Sequence, residues 1–158
     1  MRRRNDGAVA DVETRGVERL LAAARERIER VEPEAAWAAA SSGEALIVDL
    51  RSSDERRRHG IVPGSLHVPR SVLEWRADAT SDWRNPHLAG RKQWILLCAE
   101  GYSSSLAAAS LVDLGHARAA DVVGGFHAWL DAGLPVAAAP QEDGVRPGMG
   151  PPDAVGYH

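Results

Sequence analysis

The chain's 158 residues predict an α/β domain: a small, mainly parallel sheet flanked by helices, with an extra helix on its N-terminal side. Two short runs, "ALIVDL" (45–50) and "QWILLC" (93–98), are almost wholly apolar, as expected of strands covered on both faces. Segments with helical spacing alternate with such runs, the pattern of a parallel sheet with crossover helices. There is no internal repeat, and a chain of this length buries a core without metal or disulfide staples.

Residues 1–14 are polar and aperiodic and are expected to form a disordered arm. Val17, Leu20, Leu21, Ala24, Ile28 and Val31 fall on one helical face, predicting an amphipathic helix over 16–31 that covers its own domain or makes a dimer contact, the first being favoured. Pro33 suits the first turn of the next helix, which Gly43 stops. After the strand at 45–50, "SSDERRRHG" reads as a short helix with a serine cap and acids in its first turn. "IVPGSLHVP" is a turn and then a strand. "SVLE" (71–74) has the spacing of a capping box, and 77–92 is a long surface connection. "SSLAAASLVDLG" is a helix ended by Gly115. "ADVV" is a last strand, and "GGFHAWLDAG" a closing helix. One domain is expected over 15–136. The tail at 137–158, rich in Pro and Gly, is expected to be disordered.

A net charge of −3 implies no nucleic-acid or acidic-lipid partner. No run approaches a membrane span, and the start lacks the apolar segment of a signal peptide. One cysteine, Cys98, excludes an internal disulfide and suits a reducing compartment. The expectation is a soluble, cytoplasmic protein. The six histidines show no ligand spacing, so neither metal nor cofactor is expected.

Cys98 ends an apolar strand and precedes a helix, and in such folds ligands sit beyond the carboxyl ends of strands. The helix's first turn offers unpaired N–H groups, a Gly-containing loop can aim further N–H groups inward, and the helix dipole adds partial positive charge. A thiol held there ionises more readily, and its thiolate is a nucleophile. One of Ser103, Ser104 and Ser105 is expected to cap the helix.

Four blocks in order resemble the rhodanese, or thiosulfate sulfurtransferase, superfamily. "LIVDLR" is similar to its D-x-R strand end, and "GIVPGSLHVP" to its Ile-Pro-Gly turn. "ILLCAEGYSSSLAAASLVDLG" is similar to its active-site loop and helix, and "DVVGGFHAWLDAGLPV" to its closing GGxxAWxxAGLPV. The resemblance runs from about Pro33 to Val136. It implies a single-domain sulfurtransferase that moves a sulfane sulfur through a Cys98 persulfide. The donor would be thiosulfate or a persulfide, and the acceptor a thiol or cyanide. Ala99, Glu100, Gly101, Tyr102, Ser103 and Ser104 would cradle the outer sulfur and the departing anion. The superfamily also includes non-catalytic binding modules, which keeps that reading as the alternative. Phosphatase or arsenate reductase activity fits less well: the arginine of a C-x5-R loop is Ser104 here, so a phosphoryl group lacks its clamp.

Several positions depart from the common pattern. Ala99 and Ser103 stand where many members have loop arginines. Glu100 puts negative charge beside an anion site and opposes thiolate formation unless it points to solvent. Arg56 replaces the usual aromatic, and His59-Gly60 reverses the usual order. Asp49 and Arg51 are candidates for the pocket rim, with structural roles favoured because buried charges need partners; Glu55 is one such partner for Arg51. Arg70 is the best candidate for a rim cation, ahead of Arg76 and Arg84, which read as plain surface residues. Tyr102 is a candidate for the mouth, and Trp75 and Trp83 either wall the pocket or pack, with packing favoured. The G-x-S-x-G elbow is absent, so the serines are not read as nucleophiles. The physiological donor and acceptor and the oligomeric state are open at this level.

Overall fold

The computed structural model describes residues 16–88 and 92–141. Its helices are α1 (Val17–Glu26), α2 (Pro33–Ser41), α3 (Ser53–His59), α4 (Leu73–Ala77), α5 (Ser103–Asp113) and α6 (Gly125–Asp131). Its strands are β1 (Glu29–Val31), β2 (Ala45–Asp49), β3 (Leu66–His67), β4 (Gln93–Leu97) and β5 (Ala120–Val122). They form one sheet in the order β1-β5-β4-β2-β3, with every pair parallel.

Strand side chains alternate between faces, and both faces are covered, which is why the central strands are apolar throughout. Ile47, Ile95, Leu97, Ala120 and Val122 pack with Phe126 and Trp129 of α6 and Ala36 of α2. Val48, Trp94 and Leu96 pack on the opposite side with Ala107, Ala108 and Leu111 of α5 and Leu73 of α4. Trp129 is fully buried, edge-on to Trp37 with ring centroids 5.9 Å apart. Pro33 opens α2. Ser52 caps α3 in a complete capping box with Glu55.

The N-terminal region differs from its expected form. The predicted helix over 16–31 ends at Glu26, and Glu29–Val31 instead form β1, an edge strand on β5. Ile28 and Val31 fit a helical stripe by spacing, yet both are β-branched. Arg30 lies beside Asp121 in the ladder and forms an ion pair with it. α1 packs along α5, but Ala24 is its one buried residue, and Val17 and Leu20 are exposed.

Two expected caps are absent. Arg70–Val72 form a 3-10 turn before α4, without a capping bond from Ser71. Glu74, the other half of the expected box, is held by Arg70 and by the Ser110 hydroxyl. At α5 the cap position is Tyr102, without a side-chain capping bond, because the serines that follow bind elsewhere. One residue past the expected boundary at Val136, Ala137 and Ile61 exchange backbone bonds of 2.8 and 2.9 Å. The expected arm at 1–14 and residues 142–158 of the expected tail lie outside the described residues. None of the described helices is long and apolar enough to cross a membrane.

Candidate active site

β4 delivers Cys98 to the carboxyl edge of the sheet, and α6 shapes the loop that follows. The amides of Phe126 and His127 donate to the carbonyls of Cys98 and Ala99 at 2.8 and 3.0 Å. This close approach needs glycine at 125, where a Cβ would lie 2.5 Å from the Cys98 carbonyl oxygen and 2.7 Å from the Gly101 nitrogen. Gly101 itself has φ +82° and backs onto Gly124, so two glycine surfaces meet where side chains would collide.

With these carbonyls turned toward α6, donors converge on sulfur. Gly101 N–H and Ser104 N–H donate to Cys98 Sγ at 3.2 and 3.4 Å, and Ser104 Oγ lies 3.2 Å away. Burial pushes the Cys98 thiol up, but hydrogen bonding from Ser104, Ser103 and Gly101 outweighs it and holds the thiol below its ordinary value. The amides of Ala99, Glu100 and Tyr102 find no protein acceptor among the described residues. The Ser104 and Ser105 hydroxyls donate to Asp121 Oδ2 at 2.8 and 2.7 Å. That bonding takes the place of the expected serine cap.

Of the other loop residues, Ala99 is half-buried and Ser103 is exposed. Glu100 is exposed. Tyr102 is 59% exposed, with the Arg25 guanidinium 5.8 Å from its ring centroid.

Asp49 and Arg51 do not form an open rim. Asp49 is fully buried and accepts from Arg51 at 2.8 Å and from Arg56 at 3.2 Å. Arg51 also donates to the Gly60 carbonyl and lies 3.8 Å over the Phe126 ring. It therefore supports, from below, the residue whose amide holds the Cys98 carbonyl. Its expected partner Glu55 is used in the α3 cap. Arg56, in the place of an aromatic, is a buried second cation for Asp49.

The charge of Arg70 is committed to Glu74 at 2.8 Å. Arg76 is buried rather than on the surface and donates to the Trp83 carbonyl at 2.8 Å, whereas Arg84 is exposed. Trp75 and Trp83 are 50% and 38% exposed, so neither belongs to the core. Three residues near the loop escape a reading of the sequence: Arg25, Arg30 and Asp121. Asp121 carried the usable signal, since a carboxylate inside an apolar strand requires a buried partner.

Residues 32–132 match the model of the rhodanese-like domain. The chain is 32% identical over 117 residues to the thiosulfate sulfurtransferase GlpE of Actinobacillus succinogenes, covering 74% of this chain and 95% of that protein. It is 28% identical over 99 residues to a sulfurtransferase of Allochromatium vinosum, covering 63% and 84%. Among solved structures, it is similar to a protein of unknown function from Rhodopseudomonas palustris, described as a possible tyrosine phosphatase. The TM-score there is 0.74 at 37% identity, covering 78% of this chain and 96% of that one.

Proposed function

Given that this chain belongs to the rhodanese-like domain family, we propose that it is a sulfurtransferase in which Cys98 carries the transferred sulfur as a persulfide. The observation that supports this most is the convergence of the Gly101 and Ser104 amides and the Ser104 hydroxyl on Cys98 Sγ. That arrangement favours a thiolate, which is the nucleophile the reaction needs.

In the first step the Cys98 thiolate attacks the outer sulfur of thiosulfate. A new S–S bond forms at Cys98, the S–S bond of thiosulfate breaks, and sulfite leaves with the bonding pair. Cys98 then holds a persulfide anion, stabilised by the Gly101 and Ser104 donors and by the amides of Ala99, Glu100 and Tyr102 at the mouth. In the second step cyanide or a thiolate attacks the outer sulfur and departs as thiocyanate or a new persulfide, and the bonding pair returns to Cys98. No net oxidant is required. The loop side chains contribute little to this cradle, which suits their variety, and Glu100 is exposed to solvent.

Phosphoryl transfer, suggested by the description of the Rhodopseudomonas protein, fits these residues less well. The position that would clamp a phosphate dianion with a cation is Ser104, which carries no charge. A purely binding role leaves the donors around Sγ without a use. Thiocyanate formation from thiosulfate and cyanide tests the proposal: the wild-type protein turns over and Cys98→Ser falls to background. Equal rates for the two proteins overturn it.

A further inference from the structure

The segment matched to the family begins at residue 32, yet two cations from before it reach the loop. Arg25 Nη2 donates to the Gly101 carbonyl at 2.9 Å, and its Nε to Ser105 Oγ at 3.1 Å. Arg30 Nη2 donates to the same carbonyl at 3.1 Å, and its Nε to Asp121 Oδ1 at 3.0 Å. Asp121, fully buried, in turn accepts from the Ser104 and Ser105 hydroxyls. We infer that Arg25 and Arg30 are positioning residues of the sulfur-transfer site, fixing Gly101 directly and the Ser104 hydroxyl through Asp121 so that both serve the charged sulfur of Cys98. The inference rests on the sulfurtransferase reading above.

The topology makes this pair available. In β5, Ala120 and Val122 face α6, so the intervening Asp121 faces α5 and its serines. Arg30 is its direct neighbour in the parallel ladder. Gly101 has the widest backbone freedom in the loop, and its amide is one of the donors to sulfur. Two guanidiniums on its carbonyl restrain the residue most free to turn. They also bring positive charge to a loop that has Ala99 and Ser103 in place of cations.

The Ser104 hydroxyl has one proton and two acceptors. While Cys98 is a thiol, S–H donates to Ser104 Oγ, and the Ser104 hydroxyl donates to Asp121 Oδ2. Once the sulfur is a thiolate or persulfide anion, it needs that proton. Asp121 can release it because Arg30 and Ser105 still satisfy the buried carboxylate. If Arg30 is shortened so that it cannot reach both Asp121 and Gly101, the Ser104 hydroxyl stays directed at Asp121 and Gly101 loses an anchor. Both changes make negative charge on sulfur less favourable.

The test is the rate of Cys98 alkylation by iodoacetamide as a function of pH, with thermal melting alongside. Arg25→Gln and Arg30→Lys are each expected to fold cooperatively, to move the midpoint upward, and to slow alkylation at neutral pH about threefold. Together they are expected to slow it about tenfold. Arg25→Lys restores most of the Arg25→Gln loss. Arg27→Gln is the control: Arg27, the residue that follows α1, pairs with Asp113 on the surface, and its removal leaves the profile unchanged. A cooperatively melting Arg25→Gln/Arg30→Lys protein with the wild-type profile overturns the inference. Should that double variant not fold, the same result in Arg25→Gln, whose side chain is only partly buried, does so. A wild-type protein that accepts no sulfur from thiosulfate or polysulfide overturns the sulfurtransferase reading instead, whatever the alkylation profiles show.

Discussion

Gly125→Ala tests how the cysteine loop is held. A Cβ at this position would lie 2.5 Å from the Cys98 oxygen, 2.7 Å from the Gly101 nitrogen and 2.8 Å from the Ala99 carbonyl carbon. All three are backbone atoms, so no side chain can swing aside. The positive φ of 61° costs about 1 kcal/mol for an alanine. Moving α6 off the loop also weakens the Phe126 and His127 bonds to Cys98 and Ala99, each contributing about 1 kcal/mol. The sum is about 3 kcal/mol, which for a domain of this size lowers Tm by about 10 °C.

Gly133→Ala supplies the comparison. It has a similar φ of +67° but nothing within 4 Å of its Cβ, so the dihedral cost of about 1 kcal/mol stands alone, and Tm falls by about 4 °C. Differential scanning calorimetry measures both. Cys98 alkylation against pH then reads the loop: Gly125→Ala moves the midpoint upward as the amide donors turn away, and Gly133→Ala does not. If Gly125→Ala melts with Gly133→Ala and keeps the wild-type alkylation profile, the loop is not shaped by its contact with α6.

Three further outcomes are expected. Ser104→Ala removes a hydroxyl that lowers the Cys98 thiol, so thiolate forms at higher pH and sulfur transfer at neutral pH slows about tenfold, read by single-turnover kinetics. Asp49→Ala takes the shared acceptor from the buried Arg51 and Arg56 and costs about 3–5 kcal/mol in urea unfolding. Burial raises the Glu74 carboxyl, but Ser110, its own amide and Arg70 together hold it below the ordinary range. Its contribution is therefore present above the unfolded pKa of about 4.3 and lost as pH falls through the lower folded value. Glu74→Gln accordingly lowers stability at neutral pH by about 0.5 kcal/mol, given its solvent exposure. The difference disappears in acid, as measured by denaturant melts across pH.

The central sheet was legible because β2 and β4 are apolar on both faces, and the closing helix because its Gly-Gly start and Trp129 fit one environment. The position of Cys98 at a strand end was legible from the apolar run that it closes. β1 was not, because three residues with Ile28 and Val31 at helical spacing satisfy two periodicities, and only the ladder to β5 decides between them. The serines after the loop suggested a cap through local chemistry. Their acceptor, Asp121, lies 17 residues beyond Ser104, and such a distant partner leaves no local pattern. The same holds for Arg25 and Arg30, whose charges look like the solvated face of a helix until the Gly101 carbonyl is seen between them. Arg56 differed in kind: its departure from the family pattern was visible, and its bond to the buried Asp49 supplies the reason.

The most direct measurement of the central claim is the intact mass of the protein after anaerobic treatment with thiosulfate. The wild-type chain should gain one sulfur atom on Cys98, lose it to cyanide as thiocyanate, and show no gain as Cys98→Ser. An unchanged wild-type mass after thiosulfate, and again after polysulfide, would contradict the assignment of Cys98 as the sulfur carrier.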